Sequence, residues 1–297
     1  MNTPSAIAVI ALALGTPGAA RGDEARWAQA ASAGSKSALD EDARRRLAAG
    51  LAKEVAAALQ ELDEAPDVEE RSRIAGRLES LCARLEAELA RQPAEARLHL
   101  ALGDALNALG EEREDEALAR WKKARELDPT LPDPWNNIGG HYAHRGPIEE
   151  GLPCFEKAVE LAPDEPIYID NLATAIFLFR AYARERYGID EQAVFDKALA
   201  LYRRALALDP TYERAWELAI TYSGIEPYRA AAAIADWEQA LTLARSPAQA
   251  QRVHVHLARW KARAGRLEEA RRHLDAVTEP ELQELRRRAL RSLEPKP

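Results

Sequence analysis

Apolar residues recur along this chain at steps of three and four, the spacing that lines one face of a helix. Leu39, Ala43, Leu47, Leu51, Val55, Leu59 and Leu62 follow it until Pro66, and Ile74, Leu78, Leu81, Leu85 and Leu89 follow it until Pro93. Proline lacks the N–H that would continue a helix, so each break is a stop. The two runs predict an N-terminal helical hairpin over 38–93, acting as a cap or a degenerate repeat.

Beyond residue 94 the pattern repeats itself. Trp121/Ala124, Phe155/Ala158, Tyr202/Ala205 and Trp237/Ala240 are aromatic–alanine pairs one helical turn apart, and the first three run on to Pro129, Pro163 and Pro210. The aromatic positions are spaced 34, 47 and 35 residues apart, and the prolines 34 and 47. A period that holds, expands and nearly returns is the mark of a repeat array, here over 94–278 with repeats near 96–129, 132–163, 166–210, 213–245 and 249–278. In the second repeat Trp135, Ile138, Gly139 and Tyr142 share a face, Gly146–Pro147 ends one helix and opens the next, and Phe155 sets a large ring beside the small Ala158. Each hairpin leaves an apolar flank bare, so neighbours must stack. Residues 279–297 carry a last amphipathic helix, about 279–293, and a tail. Two departures stand out. Pro153 falls inside a predicted helix, which calls for a kink or a late start. The expansion at 177–190 keeps helical spacing through Ile176, Phe179, Ala183 and Tyr187, stops at Gly188 and restarts at Asp190, which predicts that both helices of the third hairpin are lengthened.

Trp135, Ile138, Gly139, Tyr142, Gly151, Phe155, Ala158 and Pro163 resemble the signature of the tetratricopeptide repeat (TPR), Trp-x2-Leu-Gly-x2-Tyr followed by a small residue, an aromatic, Ala and Pro. The resemblance implies an all-α, right-handed α-solenoid of antiparallel hairpins. It also implies a protein- or peptide-binding adaptor or scaffold, whose first helices line a concave groove. On that layout Asn136, Asn137, Gly140 and His144 face the groove, followed by Asp170, Asn171, Thr174 and Phe177, then Glu217, Thr221 and Ile225, then Arg252, His256, Arg259 and Arg263. Asn137 and Asn171 occupy equivalent places and could pair with the backbone of an extended guest, or instead bond the neighbouring hairpin. Arg252, Arg259 and Arg263 share a helix face and could clamp a carboxylate or phosphate, with Asp170 and Glu217 giving the groove its opposite sign; the alternative is a solvated face. The carboxylate clamp of the family needs Lys and Asn in the first repeat, where this chain has Leu100 and Asp104. Phe177, Phe179, Tyr182 and Tyr187 concentrate aromatics on the long hairpin. Exposed, they form a partner contact, or a self-association surface over 177–199 that builds a cell-envelope scaffold; covered by Phe195 and Leu199, they are core.

Composition narrows the reading. Hydrophobic residues make up 47% of the 297 residues, enough for a core, and the net charge of −8 gives the chain as a whole no attraction for nucleic acid or anionic membrane. Residues 1–22 hold a short apolar run, Ala6–Leu14, then Gly15, Pro17, Gly18 and small residues. That is too short for a membrane span and has the length of a signal-peptide core, cut after Ala20 or Gly22, which predicts an exported, periplasmic or secreted protein. The first six residues lack Lys and Arg, so a frayed terminus is the alternative. Residues 23–37 read as a disordered linker. Cys82 and Cys154 lie a whole hairpin apart, too far to pair, and are expected as buried free thiols. His141, His144 and Cys154 have no clearly placed further ligand, and the chain has no zincin, P-loop, nucleophile-elbow or dinucleotide motif. No enzyme, cofactor or metal is expected, and the partner is a protein, a peptide or a second copy of the chain.

Overall fold

Capping side chains and left-handed glycines set the ends of the helices in a computed structural model that describes residues 41–293. Asp67 accepts from Glu70 N–H, Asp190 from Ala193 N–H, Thr211 from Arg214 N–H and Ser246 from Gln249 N–H, each answering a donor that the first helical turn leaves free. Gly146 (φ 75°), Gly188 (φ 63°) and Gly265 (φ 76°) turn the chain between paired helices. No strand occurs among the described residues. The predicted signal segment and linker, with Leu39, lie outside them.

The chain divides into two compact units after Leu161. The first holds α1 (Glu41–Glu64), α2 (Val68–Leu89), α3 (Ala96–Ala108), α4 (Glu114–Leu127), α5 (Pro132–Arg145) and α6 (Ile148–Leu161), with a 3₁₀ turn at Glu111–Arg113 in the acidic loop. Successive helices pack on each other, and α1 also packs on α3. Leu51, Val55, Ile74, Leu78, Leu85, Leu98, Leu102 and Ile138 bury in one core that also takes Cys82 and Cys154. Both cysteines are free, and burial raises both thiol pKa values. Pro153 stands inside α6, yet the helix starts at Ile148 with no delay. The proline forfeits the one bond its N–H would make to the Glu149 carbonyl, and burial of Leu152, Cys154 and Phe155 offsets that loss.

The second unit holds α7 (Pro166–Leu178), α8 (Arg180–Tyr187), α9 (Glu191–Leu208), α10 (Tyr212–Thr221), α11 (Ala230–Leu243), α12 (Pro247–Arg263), α13 (Leu267–Asp275) and α14 (Gln283–Ser292). The expanded hairpin differs from expectation. Its return helix, α9, is long at 18 residues, but its first arm breaks at Phe179 (φ −101°, ψ 38°) and resumes as α8. The break redirects the chain so that α8, with Ala183 fully buried, packs on α9. Helix α14 packs on α12 and α13, where Ala289 and Leu293 join Ala258, Ala270 and Leu274.

Paired helices approach over residues that have no side chain. A Cβ placed on Gly103 would lie 2.6 Å from the Trp121 indole, and one on Gly139 would lie 2.9 Å from the Phe155 ring. Gly139→Ala gains about 1 kcal/mol of helix propensity but must displace a buried ring, at about 1–3 kcal/mol. We expect a net loss, read as a lower urea midpoint. Gly76 is exposed within α2 and a Cβ there meets nothing within 4 Å. Gly76→Ala should therefore stabilise the protein by about 0.5–1 kcal/mol.

Candidate peptide-binding face

In the first unit the expected groove positions Asn136, Asn137 and Gly140 on α5 are engaged with or buried in the protein itself. Gly103 leaves room for Trp121 to lie across α3, and its Nε1–H donates to Asp104 Oδ1 at 2.8 Å. Asn137 Nδ2–H donates to the same oxygen at 2.8 Å, and Asn136 Nδ2–H donates to Asn137 Oδ1 at 3.2 Å. The Asn137 amide is therefore tied to the preceding hairpin, the alternative open in its sequence position. Asn136 is buried. Gly140 is buried, while His144 is exposed near the end of α5.

Burial raises the Asp104 pKa to about 7, and Asp133 pushes the same way, against the two hydrogen bonds. Ionising Asp104 thus costs the folded state free energy that accumulates as pH rises from about 4 to about 7. Asp104→Asn keeps the accepting oxygen and removes the charge. Because Asp104 retains some solvent contact, we expect a gain of only about 1–2 kcal/mol at pH 8, fading as pH falls through 7 towards 4. Denaturation midpoints of the two proteins across that range check this.

In the second unit the arrangement changes along the row. Asp170 Oδ2 accepts from Arg214 Nε at 2.8 Å, and Arg214 also pairs with Asp209. Burial lifts the Asp170 pKa to about 6 despite that arginine. Asn171 is buried. Thr174 Oγ1 and Tyr202 Oη share a hydrogen bond of 2.8 Å, and buried Thr221 donates to the Glu217 carbonyl at 2.7 Å. The Glu217 carboxylate has no hydrogen-bond or ion-pair partner among the described residues, and burial raises its pKa.

Next to Glu217, α10, α11 and α12 converge in an aromatic stack that the periodicity did not reveal as a site. His256 lies flat on Trp237, with centroids 4.3 Å apart and planes 12° apart. Trp216 meets both rings edge-on at 5.0 Å, and Tyr212 leans on Trp216 at 5.9 Å. Trp237 is wholly buried and Trp216 half-buried. Burial lowers the His256 pKa to about 4, so the ring is neutral near pH 7. Arg252 and Arg259 flank His256 on α12; both are exposed, and neither forms a hydrogen bond or ion pair with a described residue. Arg263, one turn further on, rests its guanidinium over Tyr228 at 4.2 Å and Trp260 at 4.7 Å. Ile225, expected on the groove, is fully buried.

None of the four hairpin aromatics is fully exposed. Phe177 packs on Phe195 at 5.9 Å and lies where a Cβ on Gly224 would meet it at 2.8 Å. Phe179 and Tyr182 are half-buried, and Tyr187 lies beneath Lys197 Nζ at 4.7 Å. Leu199 of the return helix is buried, as is Phe195. No described helix is long and apolar enough to cross a membrane.

No protein-family model matches the chain. It is similar to protein O-mannosyl-transferase TMTC1 of Homo sapiens, 26% identical over 141 residues, which is 48% of this chain and 15% of that protein. The Mus musculus protein is 26% identical over 125 residues, 42% and 12% respectively. The chain thus spans a small fraction of the relatives it matches. Among solved structures it resembles Pseudomonas aeruginosa pilF with a TM-score of 0.57 at 16% identity, over 84% of this chain and 99% of that one. It also resembles YrrB, a TPR protein with an unusual peptide-binding site, at 0.55 and 16%, over 70% and 97%. The C-terminal part of a TPR protein from Cytophaga hutchinsonii gives 0.56 at 14%, over 84% and 99%. These likenesses show the all-helical TPR fold.

Proposed function

We propose that the protein is a non-catalytic interaction module, and that its second unit holds an extended segment of a partner protein across α10 and α12. One observation carries this reading. At most of the expected groove positions the polar groups are bonded internally or buried, yet Glu217, next in the chain to the half-buried Trp216, and Arg252 and Arg259, which flank the His256 ring packed on Trp216, keep theirs open. Charged groups without an internal partner, beside a half-buried aromatic shelf, are what a bound segment can satisfy. YrrB, of the same fold, is described with a peptide-binding site, which supports the reading by analogy. Mannosyl transfer is not carried over from TMTC1, since only 15% of that protein is matched. Self-association through the long hairpin has less support, because Phe177 and Tyr187 are engaged within their own unit.

Photo-crosslinking in the native host tests this. A benzophenone side chain at position 217 or 252 should capture a partner, while one at the exposed Leu285 on α14 should not. Adducts formed only from Leu285, or from the hairpin at Leu178, would remove the proposal. An adduct of twice the chain mass would replace the partner with a second copy. We also propose export to the periplasm or beyond. Protein recovered from the envelope should then begin at Arg21 or Asp23, and an intact Met1 there would refute cleavage.

A further inference from the structure

Helix α12 opens the most basic stretch of the chain. Between residues 247 and 293 there are eleven Lys and Arg against six Asp and Glu, in a protein whose net charge is −8. Many of these arginines are paired: Arg266 with Glu269, Arg286 with Asp275, and Arg287, Arg288 and Arg291 with Glu284. Arg252 and Arg259 are not, and they stand seven residues apart on one face with His256 between them. Two turns of helix separate them by about 10 Å. Arg252 lies near enough to Tyr212, and Arg259 to His256, for each charge to lower the pKa of that ring. Arg263, fixed on two rings, extends the row by one more turn.

We infer that this row binds an acidic segment of a partner protein, with two carboxylates three residues apart meeting Arg252 and Arg259 while the residues between them lie on Trp216. The inference rests on the peptide-holding reading above and names its guest. A guest in the polyproline II conformation presents residues i and i+3 on one side, about 9 Å apart, close to the axial spacing of about 10 Å between positions 252 and 259. Guanidinium presents parallel N–H donors that suit a carboxylate, and a pair formed beside an aromatic shelf is less screened than one in open water. Glu217 sits on the Asp170–Tyr202 side of α10 and carries the opposite sign, so it disfavours the guest's acidic side chains there and gives the segment a direction.

The test uses the full chain and three fluorescein-labelled decapeptides of alanine and proline, with Glu, Gln or Lys at positions 4 and 7. Fluorescence anisotropy should show binding of the Glu peptide, weakening as ionic strength rises from about 0.05 M to about 0.3 M. Arg252→Gln with Arg259→Gln should weaken it by at least about tenfold. Arg271→Gln with Arg272→Gln removes the same charge from exposed positions on α13 and should change it by less than about twofold. Equal binding of the Glu peptide by the Arg252/Arg259 variant overturns the inference. So does equal or tighter binding of the Gln or Lys peptide, although peptide holding itself then stands. If none of the three binds, the inference falls, and peptide holding falls with it only if crosslinking at 217 and 252 also yields nothing.

Discussion

Two helix pairs of the first unit rest on an aromatic ring laid against a partner helix that has no side chain at the point of contact. Trp121 lies over Gly103 and Phe155 over Gly139. A glycine inside a helix costs about 1 kcal/mol against alanine, so it persists only where something larger is gained. Here the gain is the near-complete burial of a large ring, together with a short distance between helix axes. That distance has a polar consequence. Because Gly103 lets the indole cross α3, Trp121 Nε1 reaches Asp104, and the same oxygen then receives Asn137 from the next hairpin. A packing choice between two helices thereby fixes a third.

The same logic marks what could be read from the residues in order and what could not. The period of 34, the aromatic–alanine pairs and the closing prolines are one-dimensional signals of a three-dimensional stack. The repeat they mark at 132–163 contains helices α5 and α6, which meet at Gly146–Pro147. The break at Phe179 was not legible, because Ile176, Phe179, Ala183 and Tyr187 keep helical spacing straight through it. Periodicity reports which residues prefer a common face; it does not report that a helix changes direction to find a second surface, as α8 does against α9.

Side-chain commitments were less legible still. Equivalent positions in successive repeats, such as Asn137 and Asn171, look interchangeable in the sequence, but a polar group is available to a guest only if no internal partner has taken it. For Asn137 that partner is Asp104 of the preceding hairpin, and only the geometry brings the two together. The aromatic stack is a similar case. Trp216, Trp237 and His256 come from three helices and have no common motif, so only their convergence identifies them. Tyr222 with Arg203 and Asp236 forms another such junction, with Asp236 Oδ2 accepting from both at 2.8 Å.

Charge follows from the same accounting of partners. Half of the ten arginines between residues 252 and 291 are paired, Arg266, Arg286, Arg287, Arg288 and Arg291, and exposed pairs of that kind add little stability, about 0–1 kcal/mol each. Their effect is rather to cancel the local field. What remains after cancellation is carried by residues without a partner, and on the His256 face of α12 these are Arg252 and Arg259. They lie beside rings that are already held in place by stacking, so ordering a guest there requires little rearrangement of the protein. On the proposed reading, an aromatic floor with exposed cations at its edge accepts guests that share a charge pattern while differing in sequence. Selectivity at such a surface comes from the spacing and sign of the guest's charges, since the aromatic floor contributes contact without reading side-chain identity.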